Sequence, residues 1–265
     1  MERQTVSVVI PTYNVEHLIR DCLESVKWAD EIIVVDMFST DRTVEICREY
    51  PNCRVLQRKD YIFGNVNFGF DQATTDWVIR LDSDERIGPE LRDSILQVLA
   101  NGDPRINTYC FRGRWHLFGH VIEHGPHLNT WRKHMFRRGT ARYKVQYEHE
   151  DIEALPEYGY LEGYYDHYNY ETISQWMQKT DYYTERDMER IIADPARHQE
   201  LQPGRPWQVL WQIAKEFVRL YWRERGYKDG LAGFYLCGLK VCYQFIWRAK
   251  MWEAWEKVHE RQGKQ

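Results

Sequence analysis

The sequence predicts an α/β protein: a mixed, mainly parallel sheet flanked by helices, followed by a helical C-terminal extension. Three observations carry this reading. Over the first hundred positions, short β-branched runs alternate with apolar residues at helical spacing, as in successive βαβ units. After about residue 105 the alternation fades into short strand-like runs mixed with Gly, His and Arg. Residues 193–265 then hold long stretches with apolar residues at i, i+3 and i+4.

Val6–Ile10 is a β-branched run that stops at Pro11, as a buried strand does. Val15, Leu18, Ile19, Cys22, Leu23 and Val26 fall on one helical face, with Asn14 placed as N-cap. Ile32–Val35 is a second strand ending at Asp36, and Ser39 and Thr40 are expected to cap a short helix carrying Val44 and Cys47. Arg54–Gln57 and Trp77–Leu81 are further strands, and Gly88-Pro89 opens a helix with Leu91, Ile95, Val98 and Leu99 inward. Residues 105–170 read as mixed sheet with long loops, and 170–192 as a helix. After Pro195, Pro203 and Pro206, the residues Trp207, Leu210, Trp211, Ala214, Phe217, Val218 and Tyr221 mark an amphipathic helix. A last helix runs from about Leu231 to Glu256.

A chain of 265 residues has room for one large domain or two small ones. Its 36 Lys and Arg against 40 Asp and Glu argue against a nucleic-acid coat protein. With 43% apolar and 29% charged residues it is not a disordered chain. No apolar run reaches the length of about 18–20 residues needed to cross a bilayer. The strand pattern begins so early that no signal peptide is expected. Six cysteines without C-x-x-C spacing imply reduced thiols and a cytoplasmic setting.

The chemistry concentrates where strands end, which is where open parallel sheets bind ligands. Pro11-Thr12-Tyr13-Asn14 follows the first strand, Asp36 ends the second, and Asp82-Ser83-Asp84-Glu85 follows the strand from Trp77. Three carboxylates within four residues repel one another unless a cation or hydrogen bonds offset them. Oxygens in such a turn suit Mg²⁺ or Mn²⁺ with positions left open for phosphate.

The segments SVVIPTYN (7–14), EIIVVDMFSTDRT (31–43) and VIRLDSDERI (78–87) resemble the three signatures of family 2 glycosyltransferases, inverting enzymes of the GT-A (Rossmann-like) fold. More loosely, His149-Glu150, Asp166-His167-Tyr168 and Arg225-Gly226-Tyr227-Lys228-Asp229-Gly230 are similar to the bacterial lipopolysaccharide core β-glucosyltransferase-like branch. The resemblance implies a GT-A domain over 1–192, with a nucleotide-binding half (1–105) and an acceptor and catalytic half (106–192). A helical extension follows over 193–265. It implies that Pro11, Thr12, Tyr13 and Glu16 flank the nucleotide and that Asp36 takes a hydrogen bond from base or ribose. It further implies that Asn67 and Asp82 line the nucleotide pocket, that Asp84 ligates a divalent metal and that His167 is a further ligand. Glu85 is either near the metal or a support behind it, and Arg42 and Arg80 are candidates to balance the acids.

Inverting transfer needs a base for the acceptor hydroxyl. Among Tyr147-Glu148-His149-Glu150-Asp151 the resemblance places Glu150 there, with Glu148, on the same face of a strand, as second choice. His124, Trp131 and Arg132 are acceptor-side candidates, and Lys179 is a diphosphate contact. The resemblance weakens at His134, where family members often carry arginine. His116, His120, His124 and His127 lack the cysteine pairs and helical setting of a zinc site. In the last helix, Phe234, Val241, Phe245 and Trp252 oppose Lys240, Gln244 and Arg248; this suits either an interfacial membrane helix or one packed on its own domain.

The function expected is transfer of a hexose from a nucleotide diphosphate-sugar, UDP-linked, to a cell-envelope saccharide or glycolipid, with no nucleic-acid partner and with peripheral contact to the cytoplasmic face of the inner membrane left open. A nucleotidyltransferase is the alternative enzyme, although it would normally carry a Gly-rich basic loop in place of Pro11-Thr12-Tyr13-Asn14. A non-catalytic nucleotide-sugar-binding protein is the other alternative.

Overall fold

The computed structural model describes residues 3–124, 131–144 and 152–262. The chain divides into two compact units, Met1–Arg114 with Asn129–Tyr168, and Trp115–Leu128 with Asn169–Gln265. In chain order the first hundred residues form β1 (Val6–Thr12), α1 (Ile19–Val26), β2 (Glu31–Asp36), α2 (Thr43–Cys47), β3 (Cys53–Gln57), α3 (Ile62–Gln72), β4 (Trp77–Arg80), β5 (Glu85–Ile87) and α4 (Pro89–Asn101). Then come β6 (Thr108–Leu117), β7 (His120–Ile122), β8 (Trp131–Arg137), β9 (Ala141–Tyr143), β10 (Ile152–Ala154) and β11 (Tyr158–Tyr170).

The sheet runs β3-β2-β1-β4-β8-β6-β11-β5. Its first four strands are parallel, and β8 then pairs antiparallel with β4 and with β6. Both faces of β1, β2 and β4 are covered, which is why these strands read as largely apolar runs, while β3 at the edge is only part-buried. Alternation sorts the side chains. Val6, Val8, Ile10, Ile32, Val34 and Ile79 join α1 and α4 on one face, whereas Val9, Ile33, Val35 and Val78 pack with Phe68 and Phe70 of α3 on the other.

Two expected helix caps are replaced by a contact between loops. Asn14 does not cap α1, which begins only at Ile19. It sits at φ 50°, and its side-chain oxygen accepts from the Thr40 N–H at 2.8 Å. Ser39 and Thr40 do not cap α2 either; Ser39 Oγ accepts from the Asn14 N–H, and Asp41 accepts from Thr43 at the helix start. The loops that leave β1 and β2 are thereby tied together at the C-terminal edge of these strands.

In the second unit, α5 (Ile173–Ala193) leads through a 3₁₀ turn to α6 (Pro206–Val218) and a π turn at Arg219–Arg223. A further 3₁₀ turn, Gly226–Asp229, precedes α7 (Gly230–Gln262). Met188 and Ile191 of α5 pack against Met251, Ala254 and Val258 of α7. The boundary expected at residue 192 therefore cuts through a packed unit, because α5 buries its apolar stripe on the last helix. The apolar face expected on α7 is split as well: Val241 is buried against Leu220 and Cys237, while Phe234, Phe245 and Trp252 are exposed.

Gly69 sets how closely α3 lies on the sheet, since a Cβ there would come within 2.3 Å of Val9 Cγ1 and 3.1 Å of Val35 Cγ2. Gly69→Ala is expected to destabilise the fold by about 1–3 kcal/mol, read as a lower denaturation midpoint in urea. An unchanged midpoint would show that the helix has room to move.

Candidate active site

β4 lies beside β1 with Arg80 opposite Val9, so the acid turn emerges at the same sheet edge as Pro11 and Thr12. The register that puts Thr12 opposite Asp36 brings the end of β2 to that edge too. Within the turn the three carboxylates part company. Glu85 is buried, and its Oε2 accepts from the Asp82 N–H at 2.8 Å, closing the turn from inside. Burial, then the charge of Asp82, raises its pKa against the opposing pull of His167 and Arg80. The side chains of Asp82 and Asp84 stay 26% and 20% exposed.

Arg80 places its guanidinium 2.5 Å from Asp82 Oδ2. Although burial opposes its charge, Asp82 and Glu85 hold it protonated. The other oxygen, Asp82 Oδ1, is buried with no hydrogen-bond partner among the described residues. His167 reaches the turn from far along the chain because β11 pairs antiparallel with β5, setting His167 opposite Glu85. Its Nε2 lies 3.4 Å from Asp84 Oδ1, and the Tyr168 N–H donates to the Asp84 carbonyl at 2.8 Å. Burial works against the imidazolium, but Asp84 outweighs it and the pKa of His167 rises.

Behind the turn lies His134, 1% exposed, stacked on Phe111 and tilted against Tyr165. Its Nδ1 is 3.0 Å from the Arg80 carbonyl, which can only accept, so Nδ1 carries the proton. The arginine expected by resemblance is thus replaced by a neutral ring that fastens β8 to the end of β4. Sequence reasoning did not find Tyr165 or this role of His134; the only signal for Tyr165 is its i, i+2 spacing from His167 on one strand.

The nucleotide-side candidates are placed as follows. Pro11 and Thr12 are buried at the end of β1, Thr12 Oγ1 having no partner among the described residues, and Tyr13 is 54% exposed. Glu16 accepts from the Arg42 N–H at 2.9 Å. Asp36 is buried and accepts from the Ser39 N–H and the Gln57 amide. Asn67 does not line an open pocket: its amide donates to the Tyr143 carbonyl and accepts from the Tyr143 N–H, both at 2.9 Å, clamping α3 to β9. Trp131 is 39% exposed, edge-on to Tyr160 and under the Arg112 guanidinium, with exposed Arg132 next to it.

His124 and Lys179 belong to the second unit. His124 is held by Asp229, which accepts from its backbone N–H at 2.8 Å and contacts its ring at 3.0 Å. Lys179 donates to the Asn169 carbonyl above the Tyr170 ring. His116 and His120 fall on the β6–β7 hairpin, a strand setting. Glu148, Glu150 and His127 lie outside the described residues. No group of three or more His, Cys, Asp or Glu among the described residues forms a ready metal cage.

Four parallel strands in the order β3-β2-β1-β4, extended by antiparallel strands and bearing an acid turn at their C-terminal edge, define a GT-A glycosyltransferase fold. The sequence model described as Glycosyl transferase family 2 matches residues 7–151, and the chain belongs to that family. It is 25% identical over 255 residues, 93% of this chain and 92% of the relative, to the lipopolysaccharide core biosynthesis glycosyltransferase LpsC of Rhizobium meliloti (strain 1021). Over 119 residues, 40% of this chain and 35% of the relative, it is 31% identical to the uncharacterized glycosyltransferase YibD of Escherichia coli (strain K12). Among solved structures it is similar to S. aureus TarS 1-349, with 19% identity and a TM-score of 0.48, covering 98% of this chain and 92% of that one.

Burial, then the charges of Arg80 and Arg132, holds the pKa of His134 down at about 3, below its ordinary 6.5. The unfolded chain takes up that proton first, so this contribution to stability is complete above about pH 6.5 and is lost progressively toward pH 3. His134→Leu should remove that part of the acid limb, on the order of a few kcal/mol between about pH 6.5 and 4. Urea midpoints measured across that range check it, and parallel acid limbs would refute it.

Proposed function

We propose that this chain transfers a hexose from a nucleotide diphosphate-sugar, UDP-linked, to a saccharide of the cell envelope such as lipopolysaccharide core, with inversion at the anomeric carbon. The observation that carries the reading is the acid turn itself. Two partly exposed carboxylates stand at the C-terminal edge of the sheet, and one buried oxygen, Asp82 Oδ1, is left without a partner among the described residues. Likeness to LpsC over most of both chains supports the envelope acceptor.

An unpartnered carboxylate oxygen next to a second carboxylate and an imidazole suits a hard divalent cation, Mn²⁺ or Mg²⁺, with sites left for phosphate. Asp84 and His167 are the residues proposed to hold it, with Asp82 beside them for the donor. Such an ion would supply positive charge against the negative charge that grows on the departing diphosphate. Arg80 pairs with Asp82 and aims its carboxylate, and Glu85 fixes the turn by accepting from the Asp82 N–H. Pro11, Thr12, Tyr13, Glu16 and Asp36 are proposed to seat the nucleotide at the ends of β1 and β2. Trp131, with Arg132, is proposed to stack an acceptor sugar on its exposed ring. Glu150 is proposed as the base that takes the acceptor hydroxyl's proton, with Glu148 as second choice.

The test is UDP release from a panel of UDP-sugars with and without Mn²⁺. Asp84→Ala is expected to lower turnover by about a hundredfold or more, and near-normal turnover would remove the metal role. Glu150→Gln is expected to leave donor affinity, read by calorimetry, unchanged while slowing transfer about 10²–10⁴-fold. If Glu148→Gln shows that pattern instead, the base is Glu148. No release from any donor, together with intact binding, would mark a binding protein.

A further inference from the structure

The helical unit leaves an apolar row uncovered. α6 and the π turn pack on α7 through Ile213, Phe217, Leu220 and Tyr221, which meet Cys237 and Val241. On an adjoining face Trp207, Trp211, Ala214 and Val218 recur at i, i+4, i+7 and i+11. None of the α6 residues is buried, and Trp207, Trp211 and Trp222 are 61%, 67% and 61% exposed. At the π turn the row meets a cluster of rings in which Tyr221 and Trp222 contact Tyr227. Rows of exposed tryptophan are costly in water and are used where one side of a ring meets hydrocarbon and the other meets headgroups.

The charges around the row have one sign. Residues 202–240 carry seven Lys and Arg against three Asp and Glu, in a chain whose total is 36 against 40. All three acids are paired inside the unit: Glu216 and Glu224 with Arg219, and Asp229 with His124. Lys215, Arg223, Arg225 and Lys228 are exposed and make no ion pair among the described residues. A second copy of this chain would bring the same cations against them, so the pattern selects against self-association and for an anionic surface.

We propose that the face running from Trp207 through Trp222 to Lys228 docks on an anionic lipid bilayer, with the rings at headgroup depth and the basic side chains on lipid phosphates. No helix among the described residues is long and apolar enough to cross a membrane, and the contact proposed lies along the surface. It rests on the charge and apolar pattern of this unit alone. Failure of vesicle binding would leave the chemistry of Asp82 and Asp84 untouched, because UDP release needs no bilayer.

The test is co-sedimentation of the full chain with vesicles of phosphatidylcholine alone and of equimolar phosphatidylcholine and phosphatidylglycerol, at low and high salt. Binding is expected on the anionic vesicles, with little on phosphatidylcholine and release by salt. Trp207→Ser with Trp211→Ser, both exposed and therefore compatible with folding, should weaken it about tenfold or more. Arg223→Glu with Lys228→Glu should do so by a similar factor. Met177→Ser with Tyr182→Ser, exposed on α5, should leave it unchanged, and thermal melts confirm that each variant is folded. Absent vesicle binding, binding equal on both lipids, or binding indifferent to the tryptophan and charge-reversal variants would overturn the proposal. So would a dimer seen by light scattering that the tryptophan variant breaks, in a protein that ignores vesicles.

Discussion

Three negative side chains packed into four residues are the constraint around which the first unit is arranged. Left in water they would open the turn; left in the core they would be neutralised by protonation. The chain divides them. Glu85 goes inside, where its oxygen accepts from the backbone N–H of Asp82, and Arg80, at the end of β4, takes one oxygen of Asp82. What remains, the second oxygen of Asp82 and the carboxylate of Asp84, stands at the edge with His167 as partner to Asp84. The turn is thus fixed from both sides, which is the condition for an electrostatic site that needs little rearrangement.

The supports come from different distances along the chain. Arg80 and Glu85 are local, each within three residues of Asp82. His134 comes from β8 and holds the backbone of Arg80, while Tyr165 and His167 come from β11 through its pairing with β5. The antiparallel half of the sheet is therefore what aims the parallel half's acids.

The parallel half of the fold was legible because burial on both faces leaves a plain mark: the apolar runs of β1, β2 and β4, which reach the same edge, although β1 continues through Pro11 to Thr12. The pairing of β11 with β5 was not, since thirteen residues rich in tyrosine and glycine carry no clean alternation. Asp82, Asp84 and His167 stand out in the sequence one by one, yet only topology shows that Asp84 and His167 meet. Asn14, Ser39 and Thr40 were misassigned for one shared reason. Each is a good helix cap in isolation, but two adjacent loops offered them closer partners in each other. Asn67 went the same way: an amide in a suggestive position, taken up by the backbone of Tyr143. The α6 pattern was legible as a helix, but its two apolar faces were not separable until the packed one was known.

The pairing of β5 with β11 also bears on the order in which the molecule is made. A ribosome delivers the acid turn some eighty residues before His167 and Tyr168, and some fifty before β8. Until β8 is present, β4 is a bare, apolar sheet edge beside a cluster of charge, the kind of nascent surface that pairs with the wrong strand. The stretch of synthesis between β4 and β8 is thus the interval in which this sheet edge lacks its native neighbour.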